Sequence, residues 1–244
     1  MSHFLRRAQR LLSSAAKLRN SEWIPLAVLL LVGLVMWAFV ELADSVAEGE
    51  LQKLDRALMM VFRHGEAPHD PLGPRWFEDS MRDITSLGSL GVLSVVTVAA
   101  LGYLWLQGKH AAVVYVLVAV LGAQGISSLL KAFYDRPRPD LFPHGVAVYT
   151  ASFPSGHSAM SAATYLTLGT LLARYQKSKR LRVYLVLVAV LLALLVGISR
   201  VYLSVHWPTD VVAGWTIGAA WALLCWAVAA LLQQRGVIES KPVE

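Results

Sequence analysis

The chain has 244 residues, 56% of them apolar and only 16% charged, with a formal net charge of +6. The apolar residues fall in long blocks that approach the ~20 residues needed to cross a hydrocarbon core, which excludes a soluble globular domain with charge interleaved at helical or strand period. The basic residues flank those blocks and form no stripe interleaved with exposed aromatics, which excludes nucleic acid as a partner and points to membrane lipid.

The first segment, residues 1–22, places Phe4, Ala8, Leu11, Ala15 and Leu18 at helical spacing among Arg6, Arg7, Arg10, Lys17 and Arg19. This pattern describes a basic amphipathic helix on the membrane surface. Six apolar spans follow, at about Trp23–Val40, Ser89–Gln107, Ala111–Leu130, His157–Ala173, Leu181–Ser199 and Val211–Leu232. Ser45-Val46-Ala47 resembles a signal-peptide cleavage site, but the long polar leader and a span-length apolar stretch favour an uncleaved anchor. Between the first two spans lies a loop, residues 41–88, in which Leu51, Leu54, Leu58, Val61 and Phe62 form a stripe suited to an interfacial helix. His64-Gly65 and His69-Asp70-Pro71 then read as turns; the two histidines lack the spacing of a metal pair. The single cysteine, Cys225, lies within an apolar run and supports neither a disulfide nor a zinc site. There is no tandem repeat or low-complexity linker, so residues 1–244 read as one all-α, polytopic membrane domain.

Lysine and arginine in the connections set the orientation. The loop between spans four and five carries Arg174, Lys177, Lys179, Arg180 and Arg182, which places it and both termini in the cytoplasm. Three polar clusters then fall on the outer face. The first is Lys131 to Arg138-Pro139, at the exit of span three. The second is Pro154-Ser155-Gly156-His157, at the entry of span four. The third is Ser199-Arg200 at the exit of span five, with His206 and Asp210 at the entry of span six. These clusters define a catalytic core over residues 131–210.

Each residue type in these clusters suits a phosphate. Lys131, Arg138 and Arg200 supply fixed positive charge, the arginines as planar forks of donors. Ser155-Gly156 opens a helix whose free N–H groups and positive end attract an anion, and glycine lets that backbone approach closely. The three cations and the helix end form an anion cradle that calls for no metal and no cofactor. His206 precedes Pro208, a favoured first helical residue, so Asp210 falls in the first turn within reach of one imidazole nitrogen. That contact would orient His206 as a nucleophile and give a phosphohistidine, while His157 protonates the leaving oxygen and then activates water. The whole set is needed, because phosphate-monoester hydrolysis can require up to ~10²¹-fold acceleration, whereas acid–base catalysis alone gives about 10²–10⁴.

In residue type, spacing and order these motifs resemble the type 2 phosphatidic acid phosphatase superfamily. That superfamily includes bacterial phosphatidylglycerophosphate and undecaprenyl-pyrophosphate phosphatases and shares its core with vanadium haloperoxidases. Its pattern is Lys, six residues, Arg-Pro; Pro-Ser-Gly-His; and Ser-Arg, five residues, His, three residues, Asp. Lys131 to Arg138-Pro139, Pro154 to His157, and Ser199-Arg200 through His206 to Asp210 match it. Arg136-Pro137 offers a rival Arg-Pro, but only Arg138 has the required spacing, so Arg136 is an auxiliary that could neutralise a second phosphate. The resemblance implies a metal-independent phosphatase of the bacterial cytoplasmic membrane, with its active site on the periplasmic face. Its substrate is then a lipid phosphate or pyrophosphate. Undecaprenyl pyrophosphate is slightly preferred over phosphatidylglycerophosphate and phosphatidic acid. A lipid phosphotransferase and a non-catalytic lipid transporter on the same scaffold remain as alternatives. Intact His157, His206 and Asp210 weigh against the transporter.

Overall fold

A computed structural model describes residues 2–63, 71–141 and 150–235, with side chains from Trp23 onward. The turns at His64-Gly65 and His69-Asp70, the histidine pair they contain, the surface-facing side chains of residues 1–22 and the tail beyond Arg235 lie outside the described residues. Those described form eight helices and no strand: α1 (Ser2–Ala47), α2 (Gln52–Met60), α3 (Arg75–Ser86), α4 (Leu90–Leu106), α5 (His110–Tyr134), α6 (Gly156–Arg174), α7 (Lys179–Tyr202) and α8 (Pro208–Gln234).

Four stretches are long and apolar enough to cross a bilayer: Trp23–Ala47, His110–Tyr134, Lys179–Tyr202 and Pro208–Gln234. A fifth span results if α3 and α4, bent by 49° at their junction, are counted together. The chain is therefore an integral, multi-pass membrane protein. Large apolar side chains such as Leu30, Leu34, Val95, Val98, Leu121, Leu129, Leu187 and Leu191 point outward, as a bilayer solvent requires. The first span does not begin at a break after the basic leader: α1 is continuous from Ser2 to Ala47 and passes through Pro25.

α6 differs from the others. Ser158, Ser161, Thr164 and Thr167 are buried along it, together with Ala159, Ala162 and Ala163. It packs against α4, α5, α7 and α8, while α1 lies on α8. Small residues permit this close approach. A Cβ at Gly214 of α8 would stand 2.5 Å from the carbonyl oxygen of Ser155, and one at Gly218 would collide with the carbonyl of Ala159. Glycine at both positions lets α8 lie directly on the start of α6. That contact sets the distance between the two helix N-termini carrying Ser155-Gly156 and Asp210.

The loop over residues 41–88 is more structured than its sequence suggests. α2 forms as expected, with Leu54, Leu58 and Val61 exposed on one face, but its other face buries Asp55 as well as Met59. α3 was not expected. Its Phe77 and Met81 pack beneath Tyr202 at the end of α7, and Phe77 meets that ring edge-on at 5.4 Å.

Candidate active site

Four helix ends meet at one end of the bundle and bring together all eight residues expected from the sequence. Lys131 sits in the last turn of α5, after which Asp135 adopts a left-handed conformation (φ 36°) and turns the chain out of the helix. Aspartate tolerates that region better than most side chains. The turn releases the segment carrying Arg136 and Arg138. Ser155 is the N-cap of α6; its hydroxyl accepts from Ser158 Oγ at 2.9 Å. A Cβ at Gly156 would meet Lys131 Cε at 3.4 Å, so the lysine stem runs alongside this backbone. His157 follows, close enough to Arg200, Arg138 and Lys131 to feel all three charges.

Arg200 ends α7 and is buried, with Nη1 donating to Thr85 of α3 at 3.0 Å. Its Nε has no acceptor among the described residues. Beyond α7, Ser204 takes a left-handed conformation (φ 57°), a strained choice for a residue that is not glycine. Arg63 holds it there, donating to the Ser204 hydroxyl and, at 2.9 Å, to the carbonyl of Tyr202. This turn aims His206 into the cluster, where it is 1% exposed.

The imidazole is flanked on both sides. Nδ1 lies 3.4 Å from Asp210 Oδ2, and Nε2 lies 3.2 Å from Arg138 Nη1. The Asp210 contact is longer than an ordinary hydrogen bond, because the same oxygen already accepts from Ser152 Oγ at 2.5 Å and from the Trp207 N–H at 2.9 Å. The Trp207 contact is the acidic half of a capping box, so the carboxylate that faces His206 also caps α8. The Ser152 hydroxyl stands 3.4 Å from Nδ1 as well.

Burial is the main cause that pushes the His206 imidazole down from its ordinary value to about 3. Asp210 opposes that shift, and Arg200 and Arg138 reinforce it. The ring is therefore neutral near pH 7 and keeps a lone pair. Burial also lowers the Arg138 guanidinium, with Asp210 pulling the other way. Arg138 donates from Nε to Thr150 O at 2.7 Å and from Nη1 to Val205 O at 2.6 Å, while Lys131 donates to Ala151 O at 2.6 Å. The cations thus converge on oxygen atoms beside the histidines.

Arg136 has a different place from the one its sequence suggested. Its Nη1 donates to Asp210 Oδ1 at 2.6 Å and to Thr209 Oγ1 at 2.9 Å, and its Nη2 donates to Asp55 Oδ2 at 2.8 Å. The guanidinium is engaged by two carboxylates and does not stand ready for a second phosphate. Asp55, Thr85, Ser152 and Arg63 were all missed by sequence reasoning. Asp55, Arg63 and Thr85 lie outside the motifs among ordinary polar neighbours, Ser152 stands two residues before Pro154, and burial is what marks all four.

The family model of the PAP2 superfamily matches residues 112–233. Phosphatidylglycerophosphatase B of Bacillus subtilis is 31% identical over 186 residues, which cover 74% of this chain and 85% of that protein. Lipid A 1-phosphatase of Rhizobium etli is 33% identical over 119 residues, covering 45% of this chain and 47% of that protein. Among solved structures, the transmembrane PAP2-type phosphatidylglycerolphosphate phosphatase from Bacillus subtilis superposes with a TM-score of 0.71 at 27% identity, over 81% of this chain and 94% of that one.

Proposed function

The chain belongs to the PAP2 superfamily, and from that premise we propose that it is a membrane lipid phosphatase working through a phosphohistidine on His206. The observation that carries this reading is the buried imidazole held between Asp210 and Arg138. Nε2 of His206 attacks phosphorus while the lipid oxygen leaves with a proton from His157. The Nδ1 proton stays on the ring, facing the Asp210 carboxylate, whose charge compensates the imidazolium that forms. Water, deprotonated by His157, then cleaves the P–N bond and releases inorganic phosphate. Lys131, Arg138, Arg200 and the N-terminus of α6 at Ser155-Gly156 hold the phosphoryl oxygens, whose charge grows in the transition state. Donors that now serve the carbonyls of Thr150, Ala151 and Val205 turn to those oxygens.

The substrate is a lipid phosphate or pyrophosphate. Phosphatidylglycerophosphate takes precedence over undecaprenyl pyrophosphate and phosphatidic acid, because phosphatidylglycerophosphatase B is a relative whose likeness covers 74% of this chain and 85% of its own length. The membrane reading extends to six spans. α4 and α6 complete the set, both termini are cytoplasmic, α2 lies in the interface, and the site opens on the periplasmic face of the bacterial inner membrane. α6 contributes a span despite its polar interior, because its neighbours enclose it.

Purified protein in detergent should release phosphate from phosphatidylglycerophosphate without an acceptor lipid, and His206→Ala should not. Turnover that required an acceptor would make the enzyme a transferase. Activity should persist in a strong chelator; loss restored by magnesium or zinc would overturn the metal-free mechanism.

A further inference from the structure

Asp55 is fully buried on a helix whose opposite face is exposed and apolar. Desolvating a carboxylate costs several kcal/mol unless its acceptors are filled, and an apolar side chain such as neighbouring Met59 would dock α2 without that cost. The acceptors are filled from far along the chain. Oδ1 receives the Thr209 N–H at 2.9 Å, while Oδ2 receives the Thr209 hydroxyl at 2.7 Å and Arg136 Nη2 at 2.8 Å. Thr209 immediately precedes Asp210, and Arg136 donates to both residues.

We propose that Asp55 is a positioning residue for His206, acting from α2 through Arg136 and the first turn of α8 to set the place and charge of the Asp210 carboxylate. The inference rests on His206 being the nucleophile. A guanidinium paired with Asp210 alone would cancel the charge that faces Nδ1. Shared between two carboxylates, it leaves the trio with a net negative charge beside an imidazole whose other neighbours, Arg138 and Arg200, are cations. That negative charge matters most when the ring becomes cationic on phosphorylation, and little when substrate binds. Asp55 therefore bears on turnover more than on affinity, and it links the interfacial helix to the reacting nitrogen.

The test compares wild type, Asp55→Asn, Arg136→Met and the double variant, assayed for phosphate release from phosphatidylglycerophosphate in detergent micelles. Asp55→Asn should lower kcat by about ten- to a hundredfold, as loss of an orienting partner commonly does, with KM changed less than about threefold. In the Arg136→Met background the same substitution should add less than about threefold, because the shared guanidinium is gone and only the Thr209 contacts of Asp55 remain to be lost. Equal kcat losses in the two backgrounds, or a raised KM with kcat intact, would overturn the proposal. Thr209→Val removes the hydroxyl held by both Asp55 and Arg136 and serves where either variant fails to fold; kcat should fall with KM preserved, and unchanged kcat would overturn the idea. A wild type that turns over while folded Asp55→Asn keeps full rate removes this inference alone. No release by the wild type removes the reading of the site and the inference with it.

Discussion

Nη1 of Arg138 lies 3.2 Å from Nε2 of His206 and 2.6 Å from the carbonyl oxygen of Val205, so one guanidinium nitrogen touches the imidazole and the loop that carries it. Its Nε meanwhile holds Thr150 O. A lysine ammonium cannot reach all these partners in one plane. Arg138→Lys should therefore lower kcat/KM by about 10²–10³, the scale of losing a preformed donor to a transition-state oxygen. Steady-state phosphate release measures this, and a loss below threefold would show that charge alone suffices.

Arg200 depends on α3 in a similar way. Thr85 is the acceptor that holds its Nη1 at 3.0 Å within a buried environment. Thr85→Val keeps the shape and removes the oxygen, leaving a buried cationic donor without its partner. A hydrogen bond to a charged group contributes about 1.5–3 kcal/mol, so kcat/KM should fall by roughly ten- to a hundredfold. Unaltered kinetics would make the contact with α3 dispensable for Arg200.

Close helix packing gives a stability test. Gly214→Ala would bring a methyl to 2.5 Å from Ser155 O and 2.8 Å from Ser158 Cβ. Overpacking of this kind costs about 1–3 kcal/mol, and here it also pries apart Ser155 N and Asp210 O, bonded at 2.9 Å. Thermal unfolding in detergent should shift down and kcat should drop. Gly125→Ala, with open space around it, should be neutral or slightly stabilising from helix propensity.

Acid sensitivity follows from His206. Its folded value, about 3, lies below its ordinary 6.5, so between those values the unfolded chain binds a proton that the folded one refuses. Its contribution to stability is complete above about pH 6.5 and declines as pH falls toward 3. The thermal midpoint of the wild type should therefore drop more steeply from pH 7 to pH 4 than that of His206→Asn. Parallel pH dependences would show that other groups govern acid unfolding.

The site was legible in the sequence to the extent that its residues sit in short, ordered motifs. Lys131, Ser155, Gly156, His157, Arg200 and Asp210 sit at helix ends, Arg138 and His206 in the segments beside them, and all meet at one end of the bundle. The loop over residues 41–88 was legible only in its exposed apolar stripe. Leu54 and Leu58 announce α2, but Asp55 between Leu54 and Arg56 looks like any solvated acid until its partners at Arg136 and Thr209 come into view. α3 was missed because its packing partner is Tyr202, far along the chain, although its Glu78–Arg82 pair at 2.6 Å is a local helical signal. Such tertiary pairings leave no periodicity to read.

The polar interior of α6 also has a consequence for how the protein is made. α6 is not among the helices apolar enough to cross a bilayer unaided, because Ser158, Ser161, Thr164 and Thr167 line it. Of those hydroxyls, Ser158 and Ser161 donate to protein oxygens, which acyl chains cannot supply. Under the six-span reading, α6 enters the membrane only in company with α5 and α7. Biogenesis then carries a dependence: α6 is held in the membrane only once α7 and α8, which follow it in the chain, have closed around it.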